Sequence, residues 1–389
     1  MPSSDMDLHF SRHYASSKQL KQKAHRRVPK FAYDYLIEGC MDDIGLMRNR
    51  QAINAITFKP TYIQPRIDVD TNVSLFGHTY SAPFGIAPIG LQGLMWPNAP
   101  IILAKAAYKH NIPYILSTVS SESLEQIAEA THGQAWYQLY NPTDPHIRDD
   151  IIDRLKVMQY KTLVVTIDMP TFGFRPRDFN NGLAMPPKLT LKNVYQAAIK
   201  PTWSINTLKQ GIPQFKNLTP YMETGNQKQE LTELMNTATM GWLDFDSLKT
   251  IRDAWPGNLV IKGIMSEHDL QQAIKLGCDG VIFSNHGARQ LDFGESPLSP
   301  MTQLNERYQD KMTIMMDSGL RSGSDIAGTL ALGAQFTFLG RLFMYSVCAL
   351  GDEGGQHAIA MLKAQLTQVM QQVGTANIEE LKGKASLRP

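Results

Sequence analysis

From residue 82 onward the chain is rhythmic: short apolar runs alternate with longer amphipathic stretches, and each run ends in residues that are unusual for a core. The runs are Phe84–Ala87, Pro113–Leu116, Ala135–Tyr137, Leu163–Val165, Leu259–Ile261, Val281–Phe283, Thr313–Met316 and Phe336–Leu339. Runs of this length read as buried strands. The segments between them, such as Ala99–His110, Ser123–Ala130, Glu267–Leu276 and Ser324–Leu332, carry helical periodicity. Strands that alternate with helices pair in parallel, because parallel neighbours need a crossover of about a dozen residues. Eight such units predict an α/β fold of the closed (β/α)8 kind, a TIM barrel, whose chemistry sits at the C-terminal strand ends. An open doubly wound sheet is the alternative, but no GxGxxG fingerprint follows the first strand.

Two regions break the rhythm. Residues 1–80 precede it and form an N-terminal extension to the barrel; the first 50 of them look helical and basic, with Lys18, Lys21, Lys23, Arg26 and Arg27 before Val28-Pro29-Lys30. Tyr33 and Tyr35 follow two apart, so a helix cannot point both the same way. The crossover between Asp168 and Leu259 is far longer than a helix requires, which marks an inserted segment over residues 179–240 within one domain spanning 1–389. Between Phe179 and Met222 it has no Asp or Glu, and Lys188, Lys192, Lys200, Lys209 and Lys216 interleave with Tyr195, Trp203, Phe215 and Tyr221. Basic residues among amphipathic aromatics suit an anionic bilayer surface; a soluble surface loop, or one folded over the site, is the other reading.

Composition narrows the setting. The chain has 389 residues, a formal net charge of +2 and three cysteines, Cys40, Cys278 and Cys348, without CxxC spacing. The charge is too small to argue for nucleic acid, and the cysteines argue against a local zinc motif and for a reducing compartment. No run approaches the roughly 18 apolar residues of a spanning helix, and Met1–Phe10 lacks the apolar core of a secretory signal.

The strand ends carry the chemistry. Ser284-Asn285-His286-Gly287-Ala288-Arg289-Gln290-Leu291-Asp292 follows the sixth strand and offers a titratable imidazole three residues from a guanidinium. That pair suits a substrate that carries a carboxylate and gives up a proton; a polar strand end capped by a turn is the bland alternative. In a barrel, His286 would converge with Asp168, Lys262, Arg175, Asp317, Arg321 and Arg341. The chain has no HxH, HExxH or GxSxG, and so many cations would repel a metal. Gly319, Gly323 and Gly340 with Arg321 and Arg341 suit a phosphate after strands seven and eight, although such glycines also serve simple turns.

These residues carry a resemblance. Lys262-Gly263, the Ser284–Asp292 string, Asp317-Ser318-Gly319-Leu320-Arg321 and Leu339-Gly340-Arg341 resemble the FMN-dependent L-2-hydroxy acid oxidase and dehydrogenase family across nearly the whole chain. Gly93-Leu94-Met95-Trp96-Pro97, Pro201-Thr202-Trp203-Ser204 and Arg252-Asp253-Ala254-Trp255-Pro256 are most similar to the membrane-associated mandelate and L-lactate dehydrogenase subgroup. The resemblance implies His286 as the base, oriented by Asp168, with Arg289 and Arg175 near the substrate carboxylate. Tyr35 would bind that carboxylate while Tyr33 packs, and Tyr140 would contact the substrate oxygen. Lys262 would stand beside the flavin N1 and O2 atoms. Pro88, Ile89, Gly90, Ser117, Gln138, Thr166 and Ser284 would hold the ring system. Asp317, Gly319, Arg321, Gly340 and Arg341 would hold the ribityl and phosphate.

The same resemblance implies oxidation of an L-2-hydroxy acid, of lactate or mandelate type, with FMN as cofactor and a quinone-like electron acceptor. It further implies a homo-oligomer (a tetramer), no nucleic-acid partner, and a cytoplasmic location with peripheral contact at the inner membrane through 179–222. A soluble oxidase that makes hydrogen peroxide and a non-catalytic flavin-binding barrel are the alternatives. Gly90, Ser318 and Val119 differ from the soluble oxidases, and Pro176 breaks an Arg-Glu-Arg-Asp run, which puts the role of Arg175 in question.

Overall fold

The computed structural model describes residues 12–183, 190–221, 239 and 241–388. Expectations for Met1–Phe10, Lys188, Met222 and most of 222–240 lie outside these residues. Eight parallel strands form the barrel: Phe84–Ile86, Ile115–Ser117, Trp136–Leu139, Thr162–Thr166, Asn258–Ile264, Gly280–Phe283, Thr313–Met316 and Phe336–Leu339. Each pairs with the next, the eighth pairs with the first, and a parallel bridge from Ile86 to Tyr114 joins the first to the second. The closed barrel replaces the open sheet as the architecture.

Side chains alternate across every strand, so each contributes to two cores. Leu163, Val165, Leu259, Ile261, Val281, Phe283, Ile314 and Met316 point outward and pack under the helices. Ile115, Trp136, Val164, Val260, Ile282, Met315, Phe336 and Phe338 point inward and fill the barrel. A hairpin of Val73–Leu75 and His78–Tyr80 covers the N-terminal end and adds Leu75 and Tyr80 to the inner core. Trp136 donates its indole N–H to the Tyr80 hydroxyl at 3.1 Å, which satisfies the one polar atom of that large buried ring.

Three helices follow one another in the N-terminal extension, and the second and third reach the C-terminal end of the barrel. Ser17–Arg27 buries Leu20 and Ala24; Lys30–Ile37 buries Phe31, Tyr33 and Leu36; Ile44–Asn54 buries Asn49 and Ile53. Tyr33 is buried and Tyr35 reaches the central cavity, as a two-residue spacing on a helix demands. Strand Ile56–Phe58 then pairs antiparallel with Ala385–Leu387 and ties this extension to the chain's C-terminal end.

The long crossover carries helices Leu191–Ala198 and Pro201–Gln210. The first is inside out. Asn193 and Gln196 are buried, Asn193 donating to the Asn181 carbonyl at 2.8 Å and Gln196 accepting the Phe31 N–H at 3.0 Å. Leu191, Val194 and Tyr195 face outward, and Ile205, Leu208 and Ile212 continue the apolar surface. The expectation that the aromatics make this surface holds for Tyr195 and is corrected for two others: Trp203 and Phe215 are buried, Trp203 lying edge-on to Phe31 and donating to the Leu94 carbonyl. Lys216 is also spent internally, on Glu122 at 2.6 Å.

Phe336 has no exposed surface and packs in the inner layer against Tyr80 and Phe338. Phe336→Ala should cost about 3–5 kcal/mol of stability by chemical denaturation, because a closed barrel cannot collapse around the cavity.

Candidate active site

Period-2 alternation carries the inner core directly into the site. Two residues beyond Ile115, Trp136, Val164, Val260, Ile282, Met315 and Phe338 come Ser117, Gln138, Thr166, Lys262, Ser284, Asp317 and Gly340. Two further on, Tyr140, Asp168 and His286 leave the third, fourth and sixth strands. They surround a cavity of about 500 Å³ whose wall includes Tyr35, Pro88, Ile89, Gly90, Gln138, Tyr140, Thr166, Arg175, Lys262, His286, Arg289, Asp317, Gly319, Arg321, Gly340 and Arg341. Asp168, Ser117 and Ser284 stand behind that wall. Asp168 touches His286, Ser117 donates to Gln138 at 3.0 Å, and Ser284 accepts from Lys262 at 2.9 Å.

His286 Nδ1 lies 2.8 Å from Asp168 Oδ1. A carboxylate can only accept, so Nδ1 carries the proton and Nε2 presents its lone pair, 3.4 Å from the Tyr140 hydroxyl. Burial works against the Asp168 carboxylate, yet His286 and Lys262 outweigh it and hold the carboxyl below its ordinary range. Burial pushes the Tyr140 phenol well up, so it remains a donor. Asp168 approaches so closely because Gly263, at φ +108°, forms a bulge in the fifth strand; a Cβ there would come within 2.7 Å of the Asp168 Cβ.

The turn that bears His286 is strained. His286, Gly287 and Ala288 have φ of 57°, 65° and 59°, and each non-glycine in that region costs about 1–2 kcal/mol. Hydrogen bonds hold the turn there: Ser284 Oγ accepts the His286 N–H, Ser318 Oγ accepts the Gly287 N–H, and the Cys40 N–H donates to the Ala288 carbonyl. Ser318 and Gln290 were not among the sequence candidates, although both belong to runs that the sequence marks. Gln290 fixes the neighbouring loop by accepting the Gly173 N–H at 2.9 Å.

The cations divide into distinct roles. Lys262 is buried; desolvation disfavours its charge, but Asp317 at 3.4 Å and Asp168 more than compensate and raise its pKa. Arg289 donates Nη1 to the carbonyls of Tyr35 and Glu38 at 2.8 and 2.9 Å, leaving Nη2 buried without a protein partner. One edge of the fork is therefore free for a carboxylate. Arg175 lines the same cavity over the Tyr35 ring at 5.8 Å, and its Nε pairs with buried Asp178 at 2.8 Å. Arg341 also lines the cavity, and each of its three nitrogens donates to a backbone carbonyl, of Leu36, Gly287 and Glu38, which fixes the guanidinium and leaves one N–H on each terminal nitrogen. Burial and the charges of Arg321 and Arg289 lower its pKa to about 9, and Tyr345 and Asp43 offset them only in part, the mark of crowded cations. Such a cluster favours an anion.

Three buried polar atoms around this space, Gln138 Nε2, Thr166 Oγ1 and Arg289 Nη2, lack protein partners. With Lys262 on one side and Arg321 and Arg341 beside Gly319 and Gly340 on another, they fit a group that combines a hydrogen-bonding planar ring with an anionic tail. Among the described residues no cluster of His, Cys, Asp and Glu suits a metal.

Residues 24–388 match the FMN-dependent dehydrogenase family model, and the chain belongs to that family. FMN is thus the cofactor that the cavity fits. The chain is 35% identical over 364 residues to (S)-mandelate dehydrogenase of Pseudomonas putida, covering 94% of this chain and 91% of that protein. It is 32% identical over 376 residues to an L-lactate dehydrogenase of Vibrio parahaemolyticus, covering 94% and 97%. The crystal structure of the monotopic membrane protein (S)-mandelate dehydrogenase superposes with a TM-score of 0.89 at 33% identity, over 96% of this chain and 99% of that one.

Gly263→Ala should displace Asp168 and slow turnover at least tenfold, with a measurable loss of thermal stability. Asp168 has a folded pKa below its ordinary 3.8, so its contribution to stability is complete above that value and lost as pH falls through the folded pKa. In denaturation profiles, the stability difference between wild type and Asp168→Asn should accordingly shrink on acidification below about pH 4.

Proposed function

We propose that this protein oxidises an L-2-hydroxy acid to the 2-oxo acid. The observation that carries the reading is one cavity in which the His286–Asp168 pair presents Nε2 while Arg289 presents a buried, unpaired Nη2. Arg289 Nη2, with Tyr35 beside it, binds the substrate carboxylate and sets the carbinol next to the imidazole. The Arg289 guanidinium lies over the Tyr35 ring at 4.8 Å, which fixes the plane of both. His286 Nε2 takes the proton that the substrate loses, and Asp168 stabilises the resulting imidazolium. Tyr140 donates to the substrate oxygen. FMN, when bound, supplies the two-electron acceptor, and Lys262 places a fixed positive charge where the ring would gain negative charge.

Val119, Met169, Phe172 and Phe179 line the same cavity and favour a large apolar substituent, mandelate before lactate. Anaerobic bleaching of the bound flavin with a panel of 2-hydroxy acids tests this: mandelate should exceed lactate in kcat/KM by about tenfold or more. His286→Gln should remain yellow and lose about a hundredfold to ten-thousandfold in the bleaching rate. Rapid bleaching of that variant would remove His286 from the base role.

The electrons go to a quinone-like acceptor at a membrane surface, a reading supported by the inside-out helix Leu191–Ala198 and the exposed Ile205, Leu208 and Ile212. Lys192, Lys200 and Lys209 flank this surface, and among the described residues no helix is long and apolar enough to cross a membrane. Contact is therefore peripheral, and we place it on the cytoplasmic face, with the protein as a homo-oligomer. Leu191→Ser/Leu208→Ser should release the protein from anionic vesicles in a sedimentation assay while leaving flavin reduction intact. Fast peroxide formation in air without an added acceptor would instead favour the oxidase alternative.

A further inference from the structure

One helix of the N-terminal extension reaches both halves of the site. In Ile44–Asn54, Arg48 donates to the Gly294 carbonyl, Asn49 pairs with Asn285, and Arg50 donates to the Gly319 carbonyl and to Asp325. Consecutive residues thus touch the loop that follows the catalytic turn, the turn itself, and the loop of the seventh strand. We infer that Asn49, which touches neither the cavity nor any ionisable group there, is a positioning residue for His286, and that Arg50 does the corresponding work for the loop at Gly319. The inference rests on the proposed reaction, and its test is chosen to separate the two.

The argument runs through the strained turn. Asn49 Nδ2 donates to Asn285 Oδ1 at 2.9 Å, and Asn285 Nδ2 donates back to Asn49 Oδ1 at 2.8 Å. Asn285 Nδ2 also donates to the Glu295 carbonyl at 2.9 Å, and its Oδ1 accepts the Ala288 N–H at 3.1 Å. Every donor and acceptor of the Asn285 amide is thereby used, and Asn49 is itself buried. The Ala288 N–H is shared between this Oδ1 and the Asn285 main-chain carbonyl at 2.8 Å, and together they close the segment in which His286 and Ala288 hold φ near +60°. An amide with all its partners in place holds one orientation, whereas a half-satisfied one in a buried site reorients to find others. Removing the Asn49 amide therefore frees the Asn285 side chain to let go of Ala288, which leaves the left-handed turn on its main-chain bond alone and loosens His286 with it.

Arg289 has separate anchors. Its guanidinium is held by the carbonyls of Tyr35 and Glu38. Loss of Asn49 should therefore misplace the base and spare the carboxylate clamp. A displacement of about 1 Å in a reacting group can lower a rate by on the order of a hundredfold.

The test uses the FMN-loaded enzyme and anaerobic stopped-flow reduction by the best 2-hydroxy acid. Asn49→Ala should retain flavin, lower the limiting reduction rate by about tenfold to a hundredfold, and leave the dissociation constant of a 2-oxo acid product within about twofold, since Arg289 stays in place. Asn285→Ala should do the same, and the double variant should be no slower than the slower single one. Asn49→Asp opposes a carboxylate oxygen to Asn285 Oδ1. Its rate relative to wild type should rise as the pH falls and the new carboxyl gains a proton to donate, which also keeps the test open if the alanine variant does not fold. Arg50→Ala should show the converse, weakened FMN retention by absorbance with a normal limiting rate once saturated. An unchanged limiting rate in Asn49→Ala, additive effects in the double variant, or equal losses in rate and product affinity would each overturn the inference. A wild-type flavin that no 2-hydroxy acid reduces would instead overturn the proposed reaction.

Discussion

The constraint on which this structure depends is the two-residue repeat of a strand inside a closed barrel. Once eight parallel strands close, every second side chain must point to the axis, and the axis is filled below and open above. Val164 fills the barrel, Thr166 forms the cavity floor, and Asp168 rises behind the wall. Val260 and Lys262 stand in the same relation, as do Ile282, Ser284 and His286. A one-residue slip in any strand would turn a catalytic group outward into the helical layer and a core residue inward to replace it. The site is as rigid as the core beneath it for that reason.

Electrostatics settle what such a site can hold. Four cations, Lys262, Arg289, Arg321 and Arg341, face Asp168 and Asp317 in a space removed from water. Lys262 is paired, Arg341 is braced by three carbonyls, and Arg289 keeps one edge free, so the cations are not interchangeable. The imbalance favours anionic ligands on both sides of the cavity, a carboxylate near Arg289 and a phosphate near Arg321. The strained turn at His286 belongs to the same design, because its left-handed backbone is held by bonds from Ser284, Ser318, Cys40 and Asn285.

Outside the barrel, the inserted helices show the opposite economy of surface. Helix Leu191–Ala198 buries its amides and exposes its aliphatic side chains. Polar groups turned inward are tolerable only because each finds a partner, Asn193 on Asn181 and Gln196 on Phe31. The apolar face gains nothing in water, which is why it reads as a docking surface.

The sequence alone determined the barrel, because eight apolar runs separated by helical segments leave few other ways to pair. It also pointed to residues that the structure gathers around one cavity, since polar residues that end buried strands have to converge at one end of a barrel, as Lys262, the Ser284–Asp292 string and Asp317–Arg321 do. Tertiary structure decided how each residue is used. Nothing in the sequence distinguishes the free edge of Arg289 from the three-point bracing of Arg341, because both depend on carbonyls of Tyr35, Leu36 and Glu38 delivered by a distant segment. The pairing of Arg175 with Asp178 and the burial of Trp203 and Phe215 likewise depend on how a long crossover lies against the barrel. Periodicity reports which face of an element is buried; it does not report which distant backbone will meet that face, and here that encounter sets the division of labour among the cations.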